Sequence, residues 1–110
     1  MLNRIARVNE LIKQETGKLF LTEMNFPTDV LVTVIEAEAS KDLRYADVFI
    51  SVFPHEKAAE VIEALKEHIY FLQKILNQKL SMKPLPRIRF IIDEGGERMG
   101  RIEELLKNES

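Results

Sequence analysis

Two stretches of alternating side chains flank a short polar turn at residues 40–45, and they constrain the fold more than any other part of the chain. Successive side chains of an extended backbone point to opposite faces. One face would therefore carry Leu31, Thr33, Ile35, Ala37 and Ala39 before the turn, and Ala46, Val48, Ile50 and Val52 after it. Ser40 and Asp42 can hydrogen-bond nearby backbone groups in a turn. The pattern predicts an antiparallel hairpin with this face in the core.

Helical patterns lie on both sides of the hairpin. The first runs from about Leu2 to Leu21, with Asn3 in the N-cap position. The second runs from His55 to Leu80, and as one straight rod it would measure about 39 Å. A strand of about seven residues spans only about 23 Å. We therefore expect a kink or break near residues 68–70, although neither Pro nor Gly lies there.

A third strand at residues 87–93 follows a stiff connector that contains two prolines. One of its faces would carry Ile88, Phe90 and Ile92, and the other Arg87, Arg89 and Ile91. Met99, Ile102, Leu105 and Leu106 define a short closing helix, and residues 107–110 are expected to fray.

The order of elements is helix, strand, strand, long helix, strand, short helix. It predicts an α+β two-layer sandwich, with a three-stranded sheet and helices on one face. The chain of 110 residues is expected to form a single domain over residues 1–110. A helical crossover allows the third strand to lie parallel to the first, with a right-handed connection.

Composition argues against most kinds of catalytic site. The chain has no cysteine, so it holds no disulfide, thiolate nucleophile or thiolate metal site. His55 and His68 stand alone without metal-site spacing, and Gly95 and Gly96 lack the lysine of a P-loop. No segment has the pattern of a signal peptide or the roughly 20 apolar residues of a membrane span. We expect a cytoplasmic monomer that is not an enzyme and uses no cofactor or metal.

Charge distribution is the main functional signal. The net charge is −2, yet no acidic residue lies between Glu67 and Asp93. That window contains Lys74, Lys79, Lys83, Arg87 and Arg89, and Arg4 and Arg7 of the first helix can join them. If these cations gather on one flank, they form a surface for a phosphate backbone. The alternative is a solvated helix face beside an edge strand whose charges prevent strand pairing.

The second candidate surface is apolar. The face of the hairpin opposite the core would carry Val32, Val34, Phe49 and Phe53. Such a face could bind another protein. The salt dependence of binding distinguishes this hypothesis from phosphate binding by the cations. Binding to phosphates weakens steeply with salt, whereas apolar association changes little.

The block at residues 40–51 resembles the motif S-x-D-L-x-x-A-x-V-[YF]-[VI]-S of the ribosome-binding factor A family. Other pieces occur in the family's order. Residues 4–8 resemble its R-x-x-R-V opening, residues 71–72 its F-[LI], residues 86–93 its P-x-L-x-F-x-x-D, and residues 100–106 its closing helix. The similarity covers the chain from Arg4 to Leu106.

This resemblance implies a type II KH-like domain that binds the small ribosomal subunit and its rRNA alongside other assembly factors. It implies a non-catalytic role in late subunit maturation, including processing of the rRNA 5′ end, that matters most in the cold. The chain departs from the family at three places. Residues 68–70 replace an Ala-x-Gly at the helix kink, Gln73 replaces the arginine of F-[LI]-R, and the loop at residues 53–55 after the second strand is short. It also lacks the G-x-x-G loop of ordinary KH domains.

The sequence therefore predicts a non-catalytic rRNA-binding assembly factor. Arg4 and Arg7 would contact phosphate from the first helix. Lys74, Lys79 and Lys83 would line the wall formed by the long helix, with Arg87 and Arg89 beside them on the third strand.

Overall fold

The first helix begins at a side-chain cap. In the computed structural model, which describes residues 3–82 and 85–96, helix α1 spans Arg4–Thr22. The Asn3 side chain accepts a hydrogen bond from the Ala6 backbone N–H at 2.8 Å, which confirms the predicted N-cap. The buried face of α1 consists of Val8, Ile12, Thr16, Leu19 and Phe20.

The predicted hairpin is present. Strand β1 spans Leu31–Ala39, strand β2 spans Tyr45–Phe53, and the two pair antiparallel. The turn between them is held by Ser40, whose hydroxyl donates to Asp42 Oδ1 at 2.7 Å and accepts from the backbone N–H groups of Arg44 and Tyr45 at 3.2 and 3.1 Å. Leu43 takes a left-handed conformation with φ of 59°. The turn chemistry expected of Ser40 and Asp42 is therefore confirmed.

The predicted core face of β1 is wrong in its first half, because a β-bulge interrupts the strand. The register shifts between Val34 and Glu36, which leaves one extra residue on β1. Before the bulge, Val32 lies opposite Val52 and Val34 opposite Ile50, so these valines pack against the core. Leu31 is 65% exposed. A one-residue slip exchanges the two faces of a strand, and alternation alone cannot reveal it.

Strand β3 spans Arg87–Ile92 and pairs with β2 in parallel. The sheet order is β1-β2-β3, so β3 runs antiparallel to β1. The expectation that the third strand lies parallel to the first is therefore wrong. The predicted faces of β3 are confirmed, since Ile88, Phe90 and Ile92 pack on the core while Arg87, Arg89 and Ile91 are exposed.

The second helical pattern is broken, as its length predicted. A 3₁₀ turn at His55–Lys57 leads into α2, Ala58–Glu67, and α3 follows at Ile69–Leu80. The break is at His68, with φ of −103° and ψ of 5°. Its ring Nδ1 donates to the Ala64 carbonyl oxygen at 2.9 Å, so the side chain helps to satisfy the C-terminal end of α2.

The helices cover one face of the sheet, and the core lies between the two layers. Fully buried apolar residues come from every helix and from the hairpin, among them Ile12, Leu19, Val48, Ile50, Leu65, Leu72 and Leu76. The Phe20 ring at the end of α1 lies 5.6 Å from the Phe26 ring and 5.7 Å from the Phe90 ring, between centroids. These contacts join the loop after α1 to β3. The predicted α+β sandwich is confirmed, and the predicted closing helix lies outside the described residues.

Gln73 attaches α3 to the outer edge of β3. Its side-chain oxygen accepts the Ile88 N–H at 2.9 Å, and its amide nitrogen donates to the Pro86 carbonyl at 3.1 Å. An arginine at this position has five donors and no acceptor, so it cannot bond the Ile88 N–H. The family's arginine and this chain's glutamine are therefore not equivalent at this contact.

The substitution Gln73→Arg should destabilise the fold by about 1–3 kcal/mol, because the partly buried Ile88 N–H loses its acceptor. Urea unfolding followed by circular dichroism measures this difference. Gln78→Arg, at an exposed position of the same helix, is the matched control and should change stability by less than about 0.5 kcal/mol. Equal stability of the two variants would contradict the role given to Gln73.

Candidate nucleic-acid interface

Arg4 and Arg7 lie on an exposed stripe of α1. Both residues are exposed, and no carboxylate of the described residues lies within 4.0 Å of either guanidinium. Spacings of three and four residues place them on the same helix face as Leu11, Glu15 and Lys18. Leu11 is 43% exposed, so the stripe combines cations with an apolar contact surface.

Lys79 of α3 meets this stripe through Glu15. Its Nζ lies 3.7 Å from Glu15 Oε2, while Lys18 Nζ lies 3.3 Å from Glu15 Oε1. One carboxylate therefore bridges two lysines, and the group keeps a net positive charge. Lys18 was not among the predicted site residues, although its helical spacing from Arg4 and Arg7 could have identified it.

Lys74 stands apart from this group. It is exposed, and at 100° per residue it lies on the side of α3 opposite the buried Leu72 and Leu76. Lys74 and Lys79 were predicted to line the same wall because they are close in sequence. In a helix, however, residues five positions apart point about 140° away from each other.

Arg87 and Arg89 lie on the open face of the sheet. Arg89 Nε is 2.8 Å from Asp47 Oδ1 on β2, and the Arg89 guanidinium carbon is 4.8 Å from the centroid of the Tyr45 ring. No carboxylate among the residues that the structure describes lies within 4.0 Å of Arg87. Asp47 therefore balances the charge of Arg89, whereas Arg87 remains available to bind a phosphate.

The expectation that all the predicted cations share one flank is wrong. Arg4, Arg7, Lys74 and Lys79 belong to the helical layer, whereas Arg87 and Arg89 lie on the opposite face of the sheet. Lys83 lies outside the described residues. The division arises because side chains of β3 alternate between faces, and those that point to the helices are Ile88, Phe90 and Ile92.

The predicted composition of the apolar outer face is wrong in part. Val32 and Val34 pack on the core side, and Phe49 is only 8% exposed. Phe53 is 73% exposed and lies opposite Leu31 at the end of the hairpin. The exposed apolar or aromatic side chains of this face are therefore Leu31, Phe53, Tyr45 and Ile91, and the two predicted valines are not among them.

No group of three or more potential metal ligands occurs among residues 3–82 and 85–96. Over the same residues, no helix is both long enough and apolar enough to cross a bilayer. His68 is engaged with the Ala64 carbonyl at the helix break. His55 is an exposed residue at the start of the 3₁₀ turn, as its position after Pro54 indicates.

A sequence profile of the family described as ribosome-binding factor A matches residues 4–106 of the chain. The ribosome-binding factor A of Halothermothrix orenii is 35% identical over 105 residues, which cover 94% of this chain and 86% of the relative. The chain belongs to the ribosome-binding factor A family.

Two structures of the family resemble the fold. The crystal structure of ribosome-binding factor A from Thermus thermophilus gives a TM-score of 0.69 at 23% identity, and covers 82% of this chain and 97% of that one. A homology model of Thermus thermophilus RbfA, fitted into a cryo-EM map of a 30S–RbfA complex, gives a TM-score of 0.63 at 24% identity and covers 76% of this chain and 88% of that one. At these identities the likeness concerns the fold alone.

The residues of the family motif S-x-D-L coincide with the turn network. The serine and the aspartate are Ser40 and Asp42, which together hold the Arg44 N–H, at 3.2 and 3.1 Å. The hydrogen bond from Ser40, followed by that from the Arg44 backbone, lowers the pKa of the Asp42 carboxyl below its usual value. This part of the family motif is therefore a hydrogen-bonded turn.

Removing the hydroxyl in Ser40→Ala should raise the pKa of Asp42 toward its usual value, as measured by NMR titration of the side-chain carboxyl. Because the pKa of Asp42 is lower in the folded state, its ionised carboxylate stabilises the turn at pH values above the unfolded-state pKa. This stabilisation is lost as the pH falls through the folded-state pKa. Ser51→Ala on β2 is the control and should leave the titration unchanged. An identical Asp42 titration in the two variants would contradict the assignment.

Proposed function

We propose that this chain is a non-catalytic assembly factor that binds the rRNA of the small ribosomal subunit during late maturation, including processing of the rRNA 5′ end. Family membership supports the proposal, as does the 30S complex of the Thermus thermophilus relative. The structural observation that carries it is the exposed cationic stripe of α1.

The position of these arginines is unfavourable for the helix itself. The helix N-terminus carries a partial positive charge that favours acidic residues in the first turn. In α1 the first turn contains no acidic residue, and Arg4 occupies its start. Each such cation costs the helix about 0.3–1 kcal/mol when it has no anionic partner. A bound phosphate would remove this cost, since it interacts with both the guanidinium groups and the helix terminus.

The net charge of −2 is compatible with this interface because a cluster of acidic residues lies on a different helix. Four exposed acidic residues lie on or beside α2: Glu56, Glu60, Glu63 and Glu67. Two of them are paired with lysines of the same segment, with Lys57 at 3.7 Å from Glu60 and Lys66 at 3.9 Å from Glu63. Each pair partly offsets an acidic charge, so these residues oppose RNA binding less than four unpaired carboxylates would.

Contacts of this type fix position and supply affinity, but they carry little sequence information. The proposed interface therefore recognises the shape and phosphate spacing of folded rRNA. A factor of this kind acts by occupying a site and needs no chemical step.

The double variant Arg4→Gln/Arg7→Gln should weaken binding to purified small subunits by about 5- to 30-fold, which corresponds to about 1–2 kcal/mol from two exposed ion pairs. The slope of log K against log salt should flatten by about 1.5–2, since two phosphate contacts are lost. Co-sedimentation with free small subunits over a salt series measures both quantities.

Lys57→Gln/Lys66→Gln is the matched control, since it removes two cations from α2 and the 3₁₀ turn before it and should leave the slope unchanged. Circular dichroism verifies that both double variants are folded. If the α1 variant binds with the affinity and salt slope of the unmodified protein, α1 does not contact rRNA.

A further inference from the structure

A small pocket lies at the corner where the hairpin turn meets the start of β3. Its volume is about 280 Å³, and its lining residues are Leu43, Arg44, Tyr45, Leu85 and Arg87. Pockets that take drug-sized ligands measure roughly 300–1,000 Å³, so this one suits a single small unit. It combines two guanidinium groups, one aromatic ring and two aliphatic side chains.

The cationic side of the pocket is available for a ligand. The Arg87 N–H donates to the Arg44 carbonyl oxygen at 2.8 Å, so the two backbones adjoin. The Arg44 side chain is 79% exposed, and its nearest carboxylate, Asp42, lies 3.7 Å away in an exposed pair. Such pairs contribute little and exchange readily with other partners. Two arginines that line one pocket suit the planar, multidentate binding that arginine gives to phosphate.

The aromatic side of the pocket is positioned in advance. Tyr45 is 40% exposed, and the Arg89 guanidinium lies over its ring at 4.8 Å from the centroid. Asp47 holds Arg89 there through the 2.8 Å bond to its Nε. Arg89 is therefore a positioning residue, because its charge is balanced and its plane supports the ring. The remaining exposed surface of Tyr45 can receive a second planar group.

The loop that carries the pocket is fixed by hydrogen bonds. Ser40 and Asp42 both hold the Arg44 N–H, and Ser40 also holds the Tyr45 N–H at 3.1 Å. A side chain mounted on an ordered turn loses less conformational freedom on binding than one on a mobile loop. This rigidity distinguishes the pocket from scattered surface arginines.

We propose that this pocket binds one unpaired nucleotide of RNA. Arg87 and Arg44 bind its phosphate, and the base packs on Tyr45 between Leu43 and Leu85. The ligand is an unpaired nucleotide because base-paired RNA hides the base faces that an aromatic ring can reach. The inference rests on the proposed function but is separate from the α1 surface, since no lining residue of the pocket belongs to α1.

Site-resolved NMR tests the proposal on the full chain. A single-stranded RNA hexanucleotide should shift the backbone amide signals of residues 43–45, 85 and 87. The same sequence annealed into a duplex should leave those signals in place. If the hexanucleotide moves only α1 signals, or if inorganic phosphate alone reproduces every shift, the pocket does not bind a nucleotide.

Two variants separate stacking from charge. Tyr45→Ala should raise the dissociation constant for the hexanucleotide by about 5- to 150-fold, while Tyr45→Phe should keep the affinity because it keeps the ring. Arg87→Gln should flatten the salt slope by about one, and the control Lys57→Gln should not. Unchanged affinity in both Tyr45→Ala and Arg87→Gln, with wild-type amide spectra elsewhere, would overturn the proposal.

Failure of this inference is distinguishable from failure of the proposed function. If the pocket variants bind the hexanucleotide normally and the α1 variant still loses subunit binding, only the pocket assignment is wrong. If the unmodified protein does not bind small subunits, the proposed function itself fails.

Discussion

The hydroxyl of Ser40 fixes the turn on which the sheet depends. It donates once and accepts twice, and the Ser40 backbone N–H also bonds the Tyr45 carbonyl at 2.8 Å. These bonds set the first pairs of the hairpin, Ala39 opposite Ala46 and Glu38 opposite Asp47. Because register decides which side chains enter the core, the turn also decides which residues become surface. The third strand is linked to the same turn through the Arg44 carbonyl and the Arg87 N–H.

The sequence was sufficient for those parts of the fold that depend on periodicity and chain geometry. Alternation identified the hairpin and β3, and helical patterns identified α1 and the segment that forms α2 and α3. The break at His68 was predicted from length alone, since one continuous helix over this segment would be longer than the strands of the sheet. The bulge after Val34 gave no such signal, because a strand with one extra residue still looks alternating on each side of it. The parallel partner of β3 was predicted wrongly, because a helical crossover joins parallel strands and β2, not β1, is the strand that precedes it.

The candidate site was predicted less well because the order of charges along the sequence does not show on which surface each charge lies. Lys74, Lys79, Arg87 and Arg89 are neighbours in sequence, but helix rotation and strand alternation send them to different surfaces. The contacts that decide their availability are distant in sequence. Glu15 meets Lys79 from 64 positions away, and Asp47 meets Arg89 from 42. No local pattern reports such pairs, whereas the turn residues Ser40 and Asp42 were recognisable because their partners lie within five positions.

The two cationic surfaces therefore lie on different parts of the fold, one on α1 and the other at the corner where the hairpin turn meets β3. The α1 stripe offers exposed cations beside Leu11, whereas the corner offers two arginines and the Tyr45 ring around one small pocket. Folded rRNA that brings helices and unpaired segments close together would be able to contact both surfaces. Once one surface is bound to the rRNA, the other surface meets the same rRNA at a high effective concentration. The overall avidity then exceeds the affinity of either surface alone. This arrangement would favour rRNA that is already folded around the domain over an isolated helix or strand, which is the discrimination that a factor acting late in assembly requires.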